Sequence, residues 1–151
     1  MSRSPNKKTK VLIADDDRFV RRIAKNILQD AGFEEIVEAS SGKEATDLFT
    51  DHKFDLALLD INMPPIDGLT LTKYVRATQA GGLCDTPIVI MTTECHRDVL
   101  LRAKQVGIDQ LCLKPLSPEK LLRRIEAALV LRRTIAEAMT PEMQYKDPFF
   151  V

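Results

Sequence analysis

Acidic side chains follow two short apolar runs of the chain. Asp15 and Asp16 come directly after Val11–Ala14, and Asp60 closes the run that begins at Asp55. Such runs are typical of buried strands, and open α/β sheets bind their ligands beyond the carboxyl ends of the strands. The sequence therefore predicts that both acidic clusters belong to one site. Because carboxylates held close together repel each other, we expect this site to hold Mg²⁺ beside a reactive aspartate.

Thr92 and Lys114 stand at the ends of two later apolar runs. An acidic pair can hold Mg²⁺ through oxygen, and a carboxylate can attack phosphorus, while a hydroxyl and an ammonium can bind the oxygens of a transferred phosphoryl group. Each residue alone has a simpler structural explanation: Thr92 and Asp17 could cap helices, and Lys114–Pro115 could be a polar loop. Their joint placement at successive strand ends favours a site that forms an aspartyl phosphate.

Apolar runs alternate with stretches of helical pattern along the chain. The predicted strands are Val11–Ala14, Ile36–Glu38, Asp55–Leu59, Pro87–Thr92 and Leu111–Leu113. The predicted helices are about Asp17–Ala31, Ser41–Thr50, Leu69–Gln79, Glu94–Val106 and one that begins after Ser117. Gly32 and Gly107 are placed to end helices, and Val20, Ile23 and Ile27 are expected to face the core. This alternation predicts a doubly wound α/β fold with a parallel sheet.

The composition is that of one globular domain. The chain has 151 residues, and its 22 basic and 22 acidic residues cancel, which argues against attraction to nucleic acid or membrane. No apolar stretch approaches the roughly 20 residues that span a bilayer, and Met1–Lys10 lacks a signal-peptide core, so we expect a cytoplasmic protein. The odd number and wide spacing of Cys84, Cys95 and Cys112 predict reduced thiols rather than disulfides or a zinc site.

The chain from about Lys10 to Val130 resembles the receiver domain of two-component response regulators, most of all the single-domain chemotaxis type. The residues that carry the resemblance are Asp15-Asp16, the segment Leu59–Gly68 with Asp60, Thr92, and Lys114-Pro115. The resemblance implies a flavodoxin-like sheet of five parallel strands in the order 2-1-3-4-5. It also implies a place in a two-component phosphorelay.

In that family Asp60 would accept a phosphoryl group from a phosphohistidine on a sensor histidine kinase or a histidine phosphotransfer protein. Asp15, Asp16 and the backbone carbonyl of Asn62 would hold Mg²⁺ together with Asp60. The domain would then switch a protein-interaction surface that binds a downstream target, with no enzymatic output of its own.

The resemblance also assigns the remaining site residues. Thr92 would hydrogen-bond the phosphoryl group, and Lys114 would pair with it next to a cis Lys114–Pro115 peptide. The domain would catalyse its own phosphorylation and dephosphorylation. Asn62 and Glu94 would tune the hydrolysis, and they are the residue types of fast-cycling chemotaxis regulators. We therefore expect a short-lived phosphorylated form.

One position departs from the pattern of the family. Leu111 stands three residues before Lys114, where receivers usually have Tyr or Phe. Movement of Thr92 could still reshape the surface of the fourth helix, fifth strand and fifth helix. Leu111 also keeps open a second function, a protein-interaction adaptor that binds regardless of phosphate. A phosphatase of the haloacid dehalogenase type is disfavoured, because Asn62 occupies the position of that family's second acid.

The last helical pattern runs from Ser117 to about Met139. A helix of about 22 residues is about 33 Å long, which is more than one sheet needs. The pattern places Arg123, Arg124, Arg132 and Arg133 between apolar residues, and we expect these arginines to be solvated.

These patterns divide the chain into a mobile segment 1–9, a receiver domain 10–130 and a C-terminal helix extension with its tail, 131–151. The extension could be solvated, fold back, form a homodimer contact or lead to an output domain. The tail carries two aromatic residues in Asp147–Val151. Those residues could pack against the domain or bind a partner, and the sequence does not choose between the two.

Overall fold

The computed structural model describes residues 9–78 and 85–138. Its strands are β1 (Lys10–Ala14), β2 (Glu35–Ala39), β3 (Leu56–Asp60), β4 (Ile88–Thr92) and β5 (Gln110–Leu113). Its helices are α1 (Arg18–Asp30), α2 (Gly42–Asp51), α3 (Gly68–Thr78), α4 (Arg97–Val106) and α5 (Pro118–Ala138). The strands form one parallel sheet in the order β2-β1-β3-β4-β5. The predicted fold class and strand order are confirmed.

The sheet is covered on both faces. One face packs against α2, α3 and α4 through a cluster that includes Leu12, Leu59 and Phe49. The other face packs against α1 and α5 through a cluster that includes Ile13 and Leu58. Because β3 and β4 are buried on both sides, their sequences are apolar at almost every position rather than alternating.

Several predicted helix ends are confirmed in detail. Gly32 and Gly107 have φ angles of 100° and 88°, which a residue with a side chain rarely adopts. The Asp17 carboxylate caps α1 by accepting a hydrogen bond from the Phe19 amide at 2.8 Å. Ser117 caps α5 by accepting from the Lys120 amide at 3.3 Å.

Two helix predictions are wrong. Ile23 is 46% exposed, and the buried face of α1 is formed instead by Ala24, Ile27 and Leu28. The prediction is therefore wrong for Ile23, whereas Ile27 is buried as predicted and Val20 is half-buried. The fourth helix begins at Arg97 rather than at Glu94, because residues 93–96 form a loop after β4.

The prediction that all four arginines of α5 are solvated is wrong for Arg132. The Arg132 side chain is buried, and its Nε lies 2.6 Å from Oδ1 of Asp109. The same carboxylate accepts from Arg76 Nη2 at 2.9 Å and from the Ile88 amide at 2.8 Å. Both arginines also donate to the Gly107 carbonyl, at 3.0 and 3.2 Å. This buried cluster fixes α5 to the domain beyond residue 130, where we had placed the domain boundary.

Several predictions concern residues outside the described ranges. They include the mobile start of the chain, the end of the third helix at Gln79, Cys84, the end of the last helix near Met139, and the tail Asp147–Val151. Within the described ranges, no helix combines the length and the apolar character that crossing a membrane requires.

Candidate functional site

The acidic residues meet at the carboxyl edge of the sheet. Asp15 and Asp16 directly follow β1, and Asp60 is the last residue of the neighbouring strand β3. The strands are parallel and in register, with Ala14 beside Leu59, so the carboxylates emerge at the same edge. One oxygen of each carboxylate lies within 4.8 Å of the others. Asp15 and Asp60 are buried, whereas Asp16 is exposed.

The backbone around Asp15 is held by three hydrogen bonds. The Asp15 amide donates to the Ala39 carbonyl on β2 at 3.1 Å. Its carboxylate accepts from the Asp17 amide at 2.8 Å, and its carbonyl accepts from Arg21 Nη1 at 2.8 Å. Sequence reasoning missed Arg21, since a basic residue on the first helix looks like any other solvated charge.

Lys114 connects the two buried acids. Its Nζ donates to Asp15 Oδ2 at 2.8 Å and to Asp60 Oδ1 at 3.0 Å. The Lys114 amide donates to the Thr92 carbonyl at 2.8 Å, and the Lys114–Pro115 peptide is cis, as the resemblance implied. A single ammonium therefore serves two buried carboxylates.

Burial dominates the electrostatics of this site. It raises the pKa of Asp15 and of Asp60 above the ordinary value, by more than the hydrogen bonds from Lys114 lower it. Burial alone would lower the pKa of Lys114, but the hydrogen bonds to Asp15 and Asp60 outweigh it, and the pKa is raised. With Asp16 beside them, three carboxylates share one ammonium. This excess of negative charge and the oxygen donors fit a hard divalent cation such as Mg²⁺.

Thr92 is buried at the end of β4. Its hydroxyl donates to the Glu94 carbonyl at 3.1 Å and accepts from the Glu94 amide at 3.0 Å. The hydroxyl is therefore bound to the loop after β4 rather than to Asp60. It does not cap α4, because that helix begins only at Arg97.

Two hydrogen bonds and a close contact between Gly68 and the Asp60 backbone define the conformation of the segment after Asp60. The Asn62 backbone amide donates to the Asp60 carboxylate, which lowers the pKa of that group and partly offsets the effect of burial. A Cβ at Gly68 would collide with the Asp60 carbonyl oxygen, so this position requires glycine. Asp67 then caps α3 by accepting from the Thr70 amide at 2.7 Å. Gly68 lies within the motif Leu59–Gly68, but its contact with Asp60 depends on the packed fold and has no signal in the sequence.

The described cysteines lie away from the acidic site and are free thiols. Cys95 is exposed in the loop before α4, and Cys112 is buried in β5. Among the described residues, Asp15, Asp16 and Asp60 form the single group of side chains suited to hold a metal ion.

Comparison with known proteins gives a consistent answer. Residues 11–126 match the family model described as response regulator receiver domain. The chain is 37% identical to chemotaxis protein CheY of Pseudomonas aeruginosa over 117 residues, which are 78% of this chain and 93% of that protein. It is 35% identical to CheY-3 of Vibrio cholerae over 121 residues, 80% of this chain and 92% of the relative. The solved structure of CheY4 of Vibrio cholerae superposes with a TM-score of 0.72 at 35% identity, covering 80% and 98% of the two chains.

Proposed function

The chain belongs to the response regulator receiver domain family, and from that premise we propose that it accepts a phosphoryl group on Asp60 in an Mg²⁺-dependent reaction. The observation that carries the proposal is the bridge from Lys114 Nζ to Asp15 and Asp60, at 2.8 and 3.0 Å. It joins the proposed nucleophile, the proposed cation site and the proposed phosphate-binding ammonium at one sheet edge. A chemotaxis-type receiver implies a histidine kinase as partner and a downstream target.

The proposed metal ligands are Asp15, Asp16, Asp60 and the backbone carbonyl of Asn62. When bound, Mg²⁺ would neutralise the carboxylates and the oxygens of the incoming phosphoryl group. The exposed Asp16 leaves this side of the site open to solvent, from which a hydrated ion can enter.

In the proposed reaction, an Asp60 carboxylate oxygen attacks the phosphorus of a phosphohistidine. A P–O bond forms while the P–N bond breaks, and the electron pair of that bond returns to the imidazole of the donor. Lys114 carries its positive charge throughout, because the pKa of its ammonium is raised in this site. Its Nζ already donates a hydrogen bond to Asp60, so it can also bind the phosphoryl oxygens that form there.

Thr92 would provide the switch. To donate to the phosphoryl group, its hydroxyl must give up the hydrogen bond that it donates to the Glu94 carbonyl at 3.1 Å. The loop 93–96 would then be free to rearrange, which alters the surface beside α4. This couples phosphate at Asp60 to a change at a surface where a target protein can bind.

Asn62 and Glu94 are both exposed, so water has access to the aspartyl phosphate between them. We propose that the domain hydrolyses its own phosphoryl group and that the phosphorylated form is short-lived. The proposed donor is a sensor histidine kinase or a histidine phosphotransfer protein, and the proposed location of this chain is the cytoplasm. A homodimer through the C-terminal helix stays a prediction.

The proposal is tested by incubating the protein with acetyl phosphate, with and without Mg²⁺, and measuring the intact mass. One added phosphoryl group should appear only with Mg²⁺ and should be absent in Asp60→Ala. Asp55→Ala is the matched control, because Asp55 is an exposed aspartate at the opposite end of β3. If the wild type gains no phosphoryl group and also fails to bind beryllofluoride, the phosphate-independent adaptor becomes the better function.

A further inference from the structure

An open groove lies between α4, β5 and α5. Its volume is about 350 Å³. Its apolar floor contains Leu100, Leu111 and Leu113, and its basic side contains Lys120, Arg123 and Arg124. Leu100 and Leu113 both line this groove and are 39% and 41% exposed, so the groove presents apolar surface to solvent. Within residues 9–78 and 85–138, no segment covers this floor.

The direction of α5 determines where the next part of the chain begins. Arg124 near the groove donates to Gln110 at 3.1 Å, and Arg132 further along the helix contacts Asp109 at 2.6 Å. The helix is thus fixed against the sheet as far as Arg132 and continues to Ala138. With a rise of 1.5 Å per residue, Ala138 lies about 21 Å from Arg124 and about 27 Å from Lys120 along the axis.

Residues 139–151 are long enough to return to the groove. An extended chain covers about 3.3 Å per residue, so Phe149 can lie about 36 Å from Ala138 and reach the whole length of the groove. Tyr145 can lie about 23 Å away and reaches only the end at Arg124. Phe149 and Phe150 are therefore the aromatic residues of this segment that can reach the whole length of the groove.

We propose that Phe149 and Phe150 dock into the groove of their own chain. The groove offers what two adjacent aromatic rings require, an apolar floor with room for side chains of that size. The segment 139–151 carries Glu142 and Asp147 against one Lys146. This excess of acid is complementary to the basic side of the groove, where Arg123 pairs with Glu119 at 3.2 Å but Lys120 and Arg124 have no carboxylate partner among the described residues. Because the segment is tethered to α5, even weak contacts are populated at its high local concentration.

Docking would place the segment beside the switch loop. Cys95 lines the groove, and the preceding residue, Glu94, is the hydrogen-bonding partner of Thr92. The docked segment would compete with any protein that binds the α4-β5-α5 surface, and phosphorylation would alter that competition. This regulatory consequence rests on the proposed function, whereas the docking itself does not.

The docking is tested by ¹⁹F NMR on the full chain labelled with 4-fluorophenylalanine, without phosphate. Phe149→Leu and Phe150→Leu assign the two resonances. At least one of them should be displaced from its position in a synthetic peptide of residues 139–151. Leu113→Glu, which places a carboxylate on the groove floor, should return it to the peptide position. Leu101→Glu is the matched control, since Leu101 is a 50% exposed leucine of α4 outside the groove lining.

Three results would overturn the inference. Both resonances could coincide with the peptide positions, which means that the segment does not dock. Both Leu→Glu variants could leave a displaced resonance unchanged, which means that the rings pack elsewhere. The displacement could disappear on dilution together with a dimer, which means that the segment binds a second copy. None of these results depends on whether Asp60 accepts phosphate.

Discussion

Lys114 is the residue on which the two buried carboxylates depend. Its Nζ lies 2.8 Å from Asp15 and 3.0 Å from Asp60, and its side chain is only 14% exposed. Without this ammonium, both acids would lose their charged partner in a desolvated site. The residue therefore contributes to folding as well as to the proposed chemistry.

We expect Lys114→Ala to lower the free energy of unfolding by about 1–3 kcal/mol in metal-free buffer, because it leaves two buried acceptors unsatisfied. Urea denaturation checks this value. Lys120→Ala is the control, because Lys120 is an exposed lysine whose Nζ contacts only the Pro115 carbonyl among the described residues. Equal effects of the two variants would show that the bridge does not stabilise the fold. Relative to the wild type, Lys114→Ala should also lose less of its phosphoryl incorporation than of its signalling.

Ionisation of Asp60 should lower the free energy of unfolding. Its pKa is raised by burial, so the folded state binds the proton more tightly than the unfolded state. The stability contribution of this group is present below the ordinary pKa of 3.8 and is lost as the pH rises through the folded value. Asp60→Asn should therefore be more stable than the wild type at pH 7, because the amide is buried without the cost of desolvating a charge.

This advantage should shrink as the pH falls towards 4. Urea denaturation at several pH values in the presence of EDTA measures it. Asp47→Asn, a change at an exposed aspartate of α2, controls for the loss of one surface charge. An Asp60→Asn protein that is less stable than the wild type at pH 7 would show that ionised Asp60 stabilises the fold.

Among the helices, α5 has the most specific attachment. Arg132, Asp109 and Arg76 form a buried cluster in which one carboxylate serves two guanidinium groups, at 2.6 and 2.9 Å. Because Arg132 comes from α5 and Arg76 from α3, the cluster connects helices on opposite faces of the sheet. The two guanidinium groups also donate to backbone carbonyls, both of them to that of Gly107 and Arg76 to that of Thr86 at 2.7 Å.

Arg132→Met should destabilise the fold by about 1–3 kcal/mol, since Asp109 and the Gly107 carbonyl each lose a buried donor while Asp109 keeps Arg76 as its charged partner. Arg133→Met is the matched control, because Arg133 is exposed on the same helix. Chemical denaturation gives the difference, and hydrogen exchange should show that the second half of α5 loses protection first. If both variants have wild-type stability, the cluster does not anchor the helix.

The elements that sequence predicted well are those whose signals are local. The strands β3 and β4 are continuous apolar runs, and Gly32 and Gly107 end helices through their own backbone conformation. The failures depend on contacts that are distant in sequence. Arg132 looks like a solvated residue because its partner Asp109 is 23 positions away.

Two further wrong predictions have causes that are local in sequence. The start of α4 was placed too early, because the hydrogen bonds between Thr92 and Glu94 keep that segment out of the helix. The predicted inward face of α1 includes Ile23 beside the buried Ile27, whereas the structure buries Ala24 and Leu28 in its place. An isoleucine at the edge of the apolar stripe fits the helical pattern whether its side chain faces the sheet or the solvent.

For the whole molecule, the parallel sheet explains why the candidate site could be predicted. Each of the carboxyl ends of β1, β3, β4 and β5 is followed by, or finishes in, a polar residue of the site, and these ends share one edge. Sequence position alone therefore indicates that Asp15, Asp60, Thr92 and Lys114 lie at one sheet edge, and their roles there stay a prediction. The bridge made by Lys114 and the support from Arg21 could not be predicted, since both depend on side-chain positions that only the packed fold defines.

The most direct test of the central claim locates the phosphoryl group on the chain. The wild-type protein is phosphorylated with acetyl phosphate and Mg²⁺ and reduced with borohydride, which converts an aspartyl phosphate to homoserine. The peptides are then sequenced by mass spectrometry. The account predicts homoserine at position 60 and at no other aspartate. Homoserine at Asp15, Asp16 or any other position would contradict it.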